Sequence, residues 1–466
     1  MAPTTTPGSD PTDTLETADV VVLGMGPGGE HVAGRLAEEG LDVVGIDAEL
    51  VGGECPYWGC IPSKMMVRAA DLLAEAHRID GVAGHAEVHA DFGPVTRRIR
   101  DEATDDWDDT VAVERFEKKG GTFVRGRGRL VGPDAVEVDG RVYRATRGVV
   151  LATGTSAFIP PIDGLADTPY WTNREAIAAT TAPESIVVLG GGAIGAELAQ
   201  VFARFGSAVT VVEAAERLLP LEEPEAGHLL AEVFGAEGID VRTDVAAARV
   251  HHQDGRFAIE LADSTVVDAE RLLVATGRRA DPAGIGAEHA GIAADARWVD
   301  VDADLRVAPG VWAVGDLTGK GAFTHVAMYQ ADIAIADILE QPHEPARYGA
   351  LPRVTFTDPE VGSVGLSEAD AVAEGITVAV GSTQVGSTAR GWLHGPGNDG
   401  LIKLVADRDR GVLVGATSMG PAGGEVLGLL TLAVHAEIPL DVLRTMIYAY
   451  PTFHRGVEDA LRDLDA

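Results

Sequence analysis

The same glycine pattern occurs twice in this chain, each time between a short apolar segment and a helical pattern. The first copy reads VVVLGMGPGGEHVAGRLAEEGLDVVGIDAE and the second reads IVVLGGGAIGAELAQVFARFGSAVTVVEAA. Each has Gly-x-Gly-x-x-Gly between a predicted strand and a predicted helix, with an acid at the next strand end about twenty residues on. That combination is typical of a strand–helix–strand unit that binds a dinucleotide. The repeat therefore predicts an α/β chain with two such units.

Each glycine of the pattern has its own task in such a unit. The first permits the tight turn after the strand, the second lets a pyrophosphate approach the backbone, and the third lets helix and strand pack closely. The helix N-terminus then faces the phosphates, and the acid at the strand end binds ribose hydroxyls. The candidate binding residues are Gly24, Gly26, Gly29 and Asp47 in the first unit, and Gly190, Gly192, Gly195 and Glu213 in the second.

Three further segments follow apolar strands and are expected at the edges of the nucleotide units. VVLATGTSAFIP contains Thr153 and Gly154, LLVATGRRADP contains Gly277, and GVWAVGDLTGKG contains Gly315 and Asp316. For Asp316 two interpretations stand: a hydrogen bond to a sugar-like chain, or a cap on the helix that follows.

The remainder of the chain has a different texture. After about residue 346 it alternates like antiparallel strands, with helical patterns near its end and no phosphate loop. The chain is thus α/β, with two Rossmann-like dinucleotide-binding domains and a C-terminal α+β interface domain. The predicted boundaries are a disordered tail at 1–17, the first nucleotide domain at 18–156 and 281–345, the second at 157–280, and the interface domain at 346–466.

Charge and composition exclude several classes of protein. The net charge is −35 and the pI is about 4.6, which argues against a nucleic-acid surface and against docking on anionic lipid. The N-terminal residues lack the basic start and apolar run of a signal peptide, and no apolar run is long enough for a membrane span. Two cysteines alone do not make a four-thiolate zinc site. We therefore expect a cytoplasmic protein with no metal site.

The two cysteines, Cys55 and Cys60, lie in GGECPYWGCIPSK, directly after the first nucleotide unit. Their spacing allows both sulfurs to meet in one distorted turn, and a helical pattern follows over 63–76. A helix N-terminus lowers the pKa of a thiol and favours the thiolate. A dithiol in a reducing cytosol is more often catalytic than structural, so we interpret the pair as redox-active rather than as two unrelated buried cysteines.

In its order of motifs the chain resembles the class I pyridine nucleotide-disulfide oxidoreductases, the group that includes dihydrolipoamide dehydrogenase, glutathione reductase, mercuric reductase and soluble transhydrogenase. The resemblance begins near residue 18, and GGECPYWGCIPSK is its most specific element. It implies FAD on the first unit, a nicotinamide nucleotide on the second, and a homodimer formed through the C-terminal domain. It also implies that the FAD pyrophosphate rests against Gly26 to Gly29, including Gly28, with Gly53 in the same binding set and Asp316 at the ribityl or phosphate end.

The resemblance further implies a route for electrons. NAD(P)H reduces the flavin, and the flavin reduces a Cys55–Cys60 disulfide. Cys60 is implied to be the thiol beside the flavin ring, and Cys55 the thiol that attacks an outside disulfide. Lys64 is implied to lie near the reactive nitrogen of the flavin and to pair with Glu197, because a cation there stabilises negative charge on the reduced ring. The expected enzyme is an oxidoreductase like dihydrolipoamide dehydrogenase.

One segment departs from the family pattern. Thiol-reducing members carry a His-Pro-Thr segment and a later Glu, which act together as acid and base across the dimer. This chain reads AYPTFHRGVEDAL, with Tyr450 and Arg455 at those positions. A tyrosine is a poor base at neutral pH. His454 is a candidate substitute that Glu458 would orient, although an interface histidine is the commoner role.

This departure leaves two other functions open. One is reduction of quinones, or transhydrogenation between pyridine nucleotides, directly from the flavin and with the cysteines secondary. The other is a flavin-binding redox sensor without turnover. Tyr57 and Trp58, between the cysteines, either stack on an aromatic acceptor such as a quinone or pack within the flavin domain.

The second nucleotide unit also indicates a coenzyme. A carboxylate at Glu213 accepts hydrogen bonds from a ribose 2′-hydroxyl and repels a 2′-phosphate. The residues that follow are Ala214, Ala215 and Glu216, with Arg217 only after them. The segment therefore predicts NADH in preference to NADPH.

Overall fold

The structure is a computed structural model that describes residues 15–464, which fall into two compact units. The first unit comprises residues up to Cys60, 103–156 and 278–346, and the second comprises 61–102, 157–277 and 347 onward. Residues 61–102, expected from the sequence in the first nucleotide domain, group with the second unit. Two short strands, Ser156–Ala157 and Arg278–Arg279, lie where the chain passes between units.

An eight-stranded sheet organises the first unit. Its strand Leu15–Leu23 runs parallel to Val43–Asp47 and to Arg141–Leu151, and all three are rich in buried valine, as expected for strands covered on both faces. The first of these strands begins at Leu15 because its first residues pair with 142–145, so the predicted tail at 1–17 ends too late. Residues 1–14 of that tail lie outside the described residues.

The other elements of the first unit complete this sheet and cover it. The remaining strands are Thr122–Arg125, Arg129–Gly132, Ala135–Val138, Arg306–Ala308 and Val311–Ala313. The α-helices are Pro27–Glu38, Glu54–Tyr57, Thr110–Lys118 and Thr324–Ile338, of which the first and last pack on one face of the sheet around a shared apolar core.

The second unit contains the second glycine motif in a four-stranded parallel sheet. Its strands are Ser185–Leu189, Ala208–Val212, Asp240–Arg242 and Arg271–Val274, joined by a three-stranded antiparallel sheet of Ala247–Gln253, Arg256–Leu261 and Val266–Ala269. The helices in this part are Gly93–Arg98, Asn173–Ala178, Ala193–Arg204 and Pro224–Ala236. The helix Cys60–His77 starts at the last residue of the first unit and continues in the second.

The C-terminal part of the second unit is the predicted α+β structure. Its five-stranded antiparallel sheet has the spatial order Pro352–Thr355, Glu360–Gly365, Val412–Gly420, Leu401–Asp407 and Val378–Gln384. The helices here are Glu368–Ala373, Ala389–His394, Gly423–His435, Leu440–Thr445 and Gly456–Asp463, and the last three share a core with the sheet. Across residues 15–464 no helix has both the length and the apolar character needed to cross a lipid bilayer.

Candidate functional site

The first and third glycines of the two motifs are required by close backbone packing. Gly24 has φ +97° and Gly190 has φ +107°, in the left-handed region that favours glycine. A Cβ on Gly24 would lie 2.5 Å from the backbone of Ala152, and one on Gly190 would lie 2.4 Å from that of Ala275. A Cβ on the third glycine of either motif would lie 1.9 or 2.0 Å from the carbonyl oxygen of the first. Both turns are thus built in the same way.

The middle glycines instead leave room for a ligand. Gly26 and Gly192 each stand directly before the first residue of a helix, and a Cβ on either would meet no atom within 4 Å. The same open space surrounds Gly154 and Gly277, which follow the strands next to each motif. Open backbone at a helix N-terminus fits a pyrophosphate, so both units have the shape that a dinucleotide requires.

Two other glycines of the predicted FAD set have packing roles. A Cβ on Gly28 would lie 3.2 Å from both the Ala327 carbonyl oxygen and the Val314 side chain, so this glycine admits a neighbouring helix. Gly28 lies in the first turn of the helix Pro27–Glu38, so its backbone N–H stays in the candidate set for the pyrophosphate. Gly53, with φ +63°, brings the chain beside Gly26, whose Cα would lie 2.8 Å from an added Cβ.

The acids at the strand ends are held by backbone amides. Each carboxylate accepts one N–H from its glycine loop and one from the residue two positions further on. The distances are 2.6 and 2.7 Å in both cases, from Met25 and Glu49 to Asp47 and from Gly191 and Ala215 to Glu213. Burial raises the pKa of Asp47, and the two amides oppose that effect. Each acid is thereby fixed at the mouth of its motif.

Asp316 lies in a polar cluster and does not cap a helix. It belongs to the turn Gly315–Thr318, whereas the next helix begins at Thr324 without a side-chain cap. Its carboxylate accepts a hydrogen bond from the Thr155 hydroxyl at 3.1 Å, and the Arg278 Nε lies 3.9 Å away. Burial raises the pKa of Asp316, and Arg278 opposes the change. The capping interpretation is therefore wrong.

Sequence reasoning missed Thr155 and Arg278. Arg278 donates to the Thr155 hydroxyl at 2.8 Å and to its carbonyl oxygen at 2.6 Å. A signal was present, since each residue directly follows one of the two Ala-Thr-Gly segments. The two segments therefore meet through the residues that come after them.

The two cysteines are thiols that form a hydrogen bond with each other. Cys55 is half-buried in the short helix Glu54–Tyr57, and Cys60 is exposed at the start of the helix Cys60–His77. The hydrogen bond with Cys60 raises the pKa of Cys55, and burial adds to the increase. The Thr324 hydroxyl lies 3.3 Å from the Cys60 Sγ and acts in the opposite sense on the pKa of Cys55.

The helix N-terminus that the sequence predicts to lower a thiol pKa belongs to Cys60. Cys55 precedes that terminus, and its pKa is raised. The two thiols are joined by a hydrogen bond. Sequence reasoning missed Thr324, which comes from a helix far along the chain.

Two ion pairs tie the helix Cys60–His77 to the helix Ala193–Arg204. The Lys64 Nζ lies 2.5 Å from the Glu197 Oε2, and Arg204 donates to the Asp71 Oδ1 at 2.7 Å. On each helix the two charged residues are seven positions apart, which is about two helical turns. Glu197 is 5% exposed. The ion pair of Lys64 with Glu197, which the sequence predicts, is thus one of the two ion pairs that join these helices.

Asp71 gives this contact a pH dependence. Burial raises its pKa from the ordinary 3.8 to about 6, although Arg204 opposes the change. The unfolded chain therefore releases this proton first, and the contribution of Asp71 to the free energy of unfolding falls as pH rises from about 4 to about 6. We expect Asp71→Asn to gain roughly 1–2 kcal/mol relative to wild type over that interval, allowing for partial exposure of the carboxyl. Urea unfolding at a series of pH values measures this gain, and parallel profiles for the two proteins would contradict it.

Tyr450 lies on an exposed apolar part of the C-terminal region. Its side chain is 70% exposed, and Ile447 nearby is 96% exposed. The Arg455 guanidinium lies 5.4 Å from the centre of the tyrosine ring. The residue at the position of the family histidine is therefore on a surface that a second protein copy could cover.

His454 contacts different residues from those expected. Its Nε2 lies 3.4 Å from the Thr452 hydroxyl, and its ring centre lies 6.2 Å from that of Tyr448. Glu458 binds Arg455 at 2.5 Å. The expectation that Glu458 orients His454 is thus wrong, because a neighbouring arginine occupies that carboxylate.

The aromatic residues between the cysteines are packed within the first unit. Tyr57 is 6% exposed, so it has no free face for an acceptor. Trp58 is half-buried and stacks on Trp107. These contacts support the interpretation that Tyr57 and Trp58 pack within the first unit, rather than the interpretation that they stack on a quinone.

Known proteins share this sequence across most of its length. Residues 18–331 match the family model for pyridine nucleotide-disulphide oxidoreductase, and residues 351–461 match the dimerisation domain of that family. A dihydrolipoyl dehydrogenase of Chlorobaculum tepidum is 32% identical over 97% of this chain and 98% of its own. A mercuric reductase of Acidithiobacillus ferrooxidans is 32% identical over 97% of this chain and 83% of its own.

Solved structures agree with these relatives. The HOCl-induced flavoprotein disulfide reductase RclA from Escherichia coli has a TM-score of 0.83 at 25% identity, covering 95% of this chain and 99% of its own. LpdA from Mycobacterium tuberculosis has a TM-score of 0.83 at 25% identity, and the match covers 97% of this chain and 100% of its own. The match to a dimerisation domain supports a homodimer. The chain belongs to the pyridine nucleotide-disulphide oxidoreductase family and is an oxidoreductase that uses FAD and a pyridine nucleotide.

Proposed function

We propose that this enzyme passes electrons from NADH through FAD to the Cys55–Cys60 pair, and from Cys55 to a small disulfide. The supporting observation is the hydrogen bond between the two thiols, with the Thr324 hydroxyl 3.3 Å from the Cys60 Sγ. Oxidation of this pair removes two electrons and two protons and joins two sulfurs whose thiols are already hydrogen-bonded.

The residues of the chain supply binding and proton control. Bound FAD supplies two-electron transfer between nicotinamide and sulfur. Its pyrophosphate would lie against Gly26, whose surroundings are open, and its ribityl chain near Asp316. The coenzyme pyrophosphate would lie against Gly192. Lys64, held by Glu197, would supply positive charge near the reactive nitrogen of the flavin.

The acceptor follows from the state of Cys55. The hydrogen bond with Cys60 raises the pKa of Cys55, whereas attack on an outside disulfide requires the thiolate. Tyr450 is a poor base for removing that proton. We therefore propose low activity with lipoamide and higher activity with disulfides whose leaving thiol is acidic, because such thiols leave faster.

An acceptor screen tests this proposal. Purified holoenzyme is given NADH together with lipoamide, an activated aromatic disulfide, a low-molecular-weight biological disulfide or a quinone. Turnover with at least one disulfide, fastest with the activated one, is the expected result. Turnover with quinones or a second nicotinamide alone would replace the proposal with direct transfer from the flavin.

The coenzyme preference is tested at Glu213. We expect kcat/KM for NADH to exceed that for NADPH by about tenfold or more, because a carboxylate repels a 2′-phosphate. Glu213→Gln keeps an acceptor for the Gly191 amide but removes the charge, and should narrow the ratio by about tenfold. Glu216→Gln is the matched control, since that side chain is 74% exposed and pairs with Arg217. An unchanged ratio in Glu213→Gln would show that another group selects the coenzyme.

A further inference from the structure

A short segment of the first unit, Thr104–Asp109, contacts the chain between the two cysteines. The rings of Trp107 and Trp58 stack with centres 5.3 Å apart and planes at 22°. The Trp107 indole N–H donates to the Tyr57 carbonyl oxygen at 3.3 Å. One tryptophan therefore contacts two of the four residues that separate Cys55 from Cys60.

The backbone of this segment is unusual. Asp105, Asp106 and Trp107 have φ values of 49°, 55° and 58°, so three successive residues with a Cβ adopt the left-handed region. Such residues are unfavourable and persist only where surrounding contacts hold them. Buried Thr104 supports the turn, since its carbonyl oxygen accepts the Asp108 N–H at 3.2 Å. The turn brings the Trp107 ring onto Trp58.

The same segment contacts the chain on the other side of Cys55. The Asp109 carboxylate is buried and accepts the Val51 N–H at 2.7 Å. It also accepts from Arg125 at 2.5 Å, which balances its charge. The segment Thr104–Asp109 thus contacts the chain on both sides of Cys55. Asp109 binds a residue that precedes the cysteine, and Trp107 contacts residues that follow it.

We propose that Trp107 is a positioning residue for the Cys55–Cys60 couple, and that its contacts favour the disulfide over the dithiol. This inference rests on the proposed function of the pair. Reduction breaks the Sγ–Sγ bond, takes up two electrons and two protons and leaves two thiols, with NADH through FAD as the reductant. The disulfide restricts the intervening chain by its own covalent link, but the dithiol does not.

Loss of Trp107 should therefore stabilise the dithiol relative to the disulfide. Without the stack and the hydrogen bond, the reduced chain gains conformations in which the sulfurs are apart, while the closed disulfide gains few. We expect Trp107→Ala to shift the equilibrium towards the dithiol by about 3- to 10-fold, from the usual strength of an aromatic pair. For a two-electron couple a tenfold shift raises the midpoint potential by about 30 mV. Trp107→Phe, which keeps a ring but loses the indole N–H, should lie between.

The experiment uses the holoenzyme in buffers of reduced and oxidised dithiothreitol. Alkylation followed by intact mass then reports the reduced fraction, and it reports this pair alone because the chain has two cysteines. Asp106→Asn is the matched control, since asparagine also accepts the left-handed region and the ring contacts are untouched. The midpoint of its redox titration should equal that of the wild-type protein.

The outcomes separate the inference from the proposed function. A wild-type protein that forms no internal disulfide at any buffer ratio would refute the proposed function. A wild-type protein that titrates normally, with Trp107→Ala and Trp107→Phe at the same midpoint, would refute the positioning role alone. If Trp107→Ala fails to fold, the Trp107→Phe midpoint decides, because that variant keeps the ring in place.

Discussion

Replacing Cys55 by serine is expected to lower turnover with disulfide acceptors by about 10³-fold or more, while NADH continues to reduce the bound flavin. Cys55 is the proposed attacking sulfur, and a serine hydroxyl forms no mixed disulfide. Coenzyme binding should be preserved, because the second glycine motif lies elsewhere in the sequence. Steady-state assays with each disulfide and anaerobic mixing with NADH measure the two steps separately.

Cys60→Ser is the companion to that variant. It keeps the attacking thiol but removes the sulfur that resolves a mixed disulfide, so the reaction should stop after one exchange, with one sulfur of the acceptor bonded to Cys55 and the other released as a thiol. Intact mass detects that adduct. Undiminished disulfide turnover in Cys55→Ser would contradict the proposed route, and loss with disulfides but not with quinones would reveal two separate routes.

The parts of the site that sequence predicted are the parts that local backbone geometry decides. The left-handed φ at Gly24 and the open space at Gly26 depend on residues within one strand, one turn and one helix, although the backbone of Ala152 also packs against Gly24. The same holds for Gly190 and Gly192. Because the constraint is local, the spacing of the glycines was enough to predict the shape of both units.

The parts of the site that sequence reasoning missed depend on contacts between distant segments of the chain. Gln330 is fully buried in an apolar helix, where its side chain accepts the Gly315 N–H at 2.7 Å and donates to the Thr318 hydroxyl at 3.1 Å. Periodicity alone predicts a helix here and does not show which turn its glutamine supports. Thr324 beside Cys60 could not be found for the same reason.

The difference between the two thiols has a related cause. The helix dipole argument requires the thiol to stand at the helix N-terminus, and in this chain that position belongs to Cys60. Cys55 lies in its own short helix, where the contact with the second thiol dominates. Spacing predicts that the two sulfurs lie near each other, but the hydrogen bond that raises the pKa of Cys55 depends on side-chain geometry.

The largest expected effect on stability is at Lys403. This lysine is 3% exposed, and its Nζ lies 2.9 Å from Glu223 and 2.8 Å from both Glu225 and Glu368. Burial alone would lower its pKa, but the three carboxylates raise it. We expect Lys403→Met to reduce the free energy of unfolding by about 3–5 kcal/mol at pH 7, because Glu223 would remain buried without its cation. Urea unfolding of the holoenzyme measures the loss.

The pH dependence of that loss identifies its cause. Burial would raise the pKa of Glu225, but the Lys403 ammonium lowers it, so the stabilisation from this pair is lost as pH falls. The deficit of Lys403→Met should therefore shrink in acid if uncompensated negative charge produces it. Lys118→Met is the matched control: Lys118 is 75% exposed and pairs with Glu114 one turn away, so its loss should cost less than about 0.5 kcal/mol. A deficit that persists unchanged in acid would assign the effect to packing instead. With 72 acidic against 37 basic residues, the chain has few cations to place in its interior, and Lys403 neutralises acids from two separate segments at once.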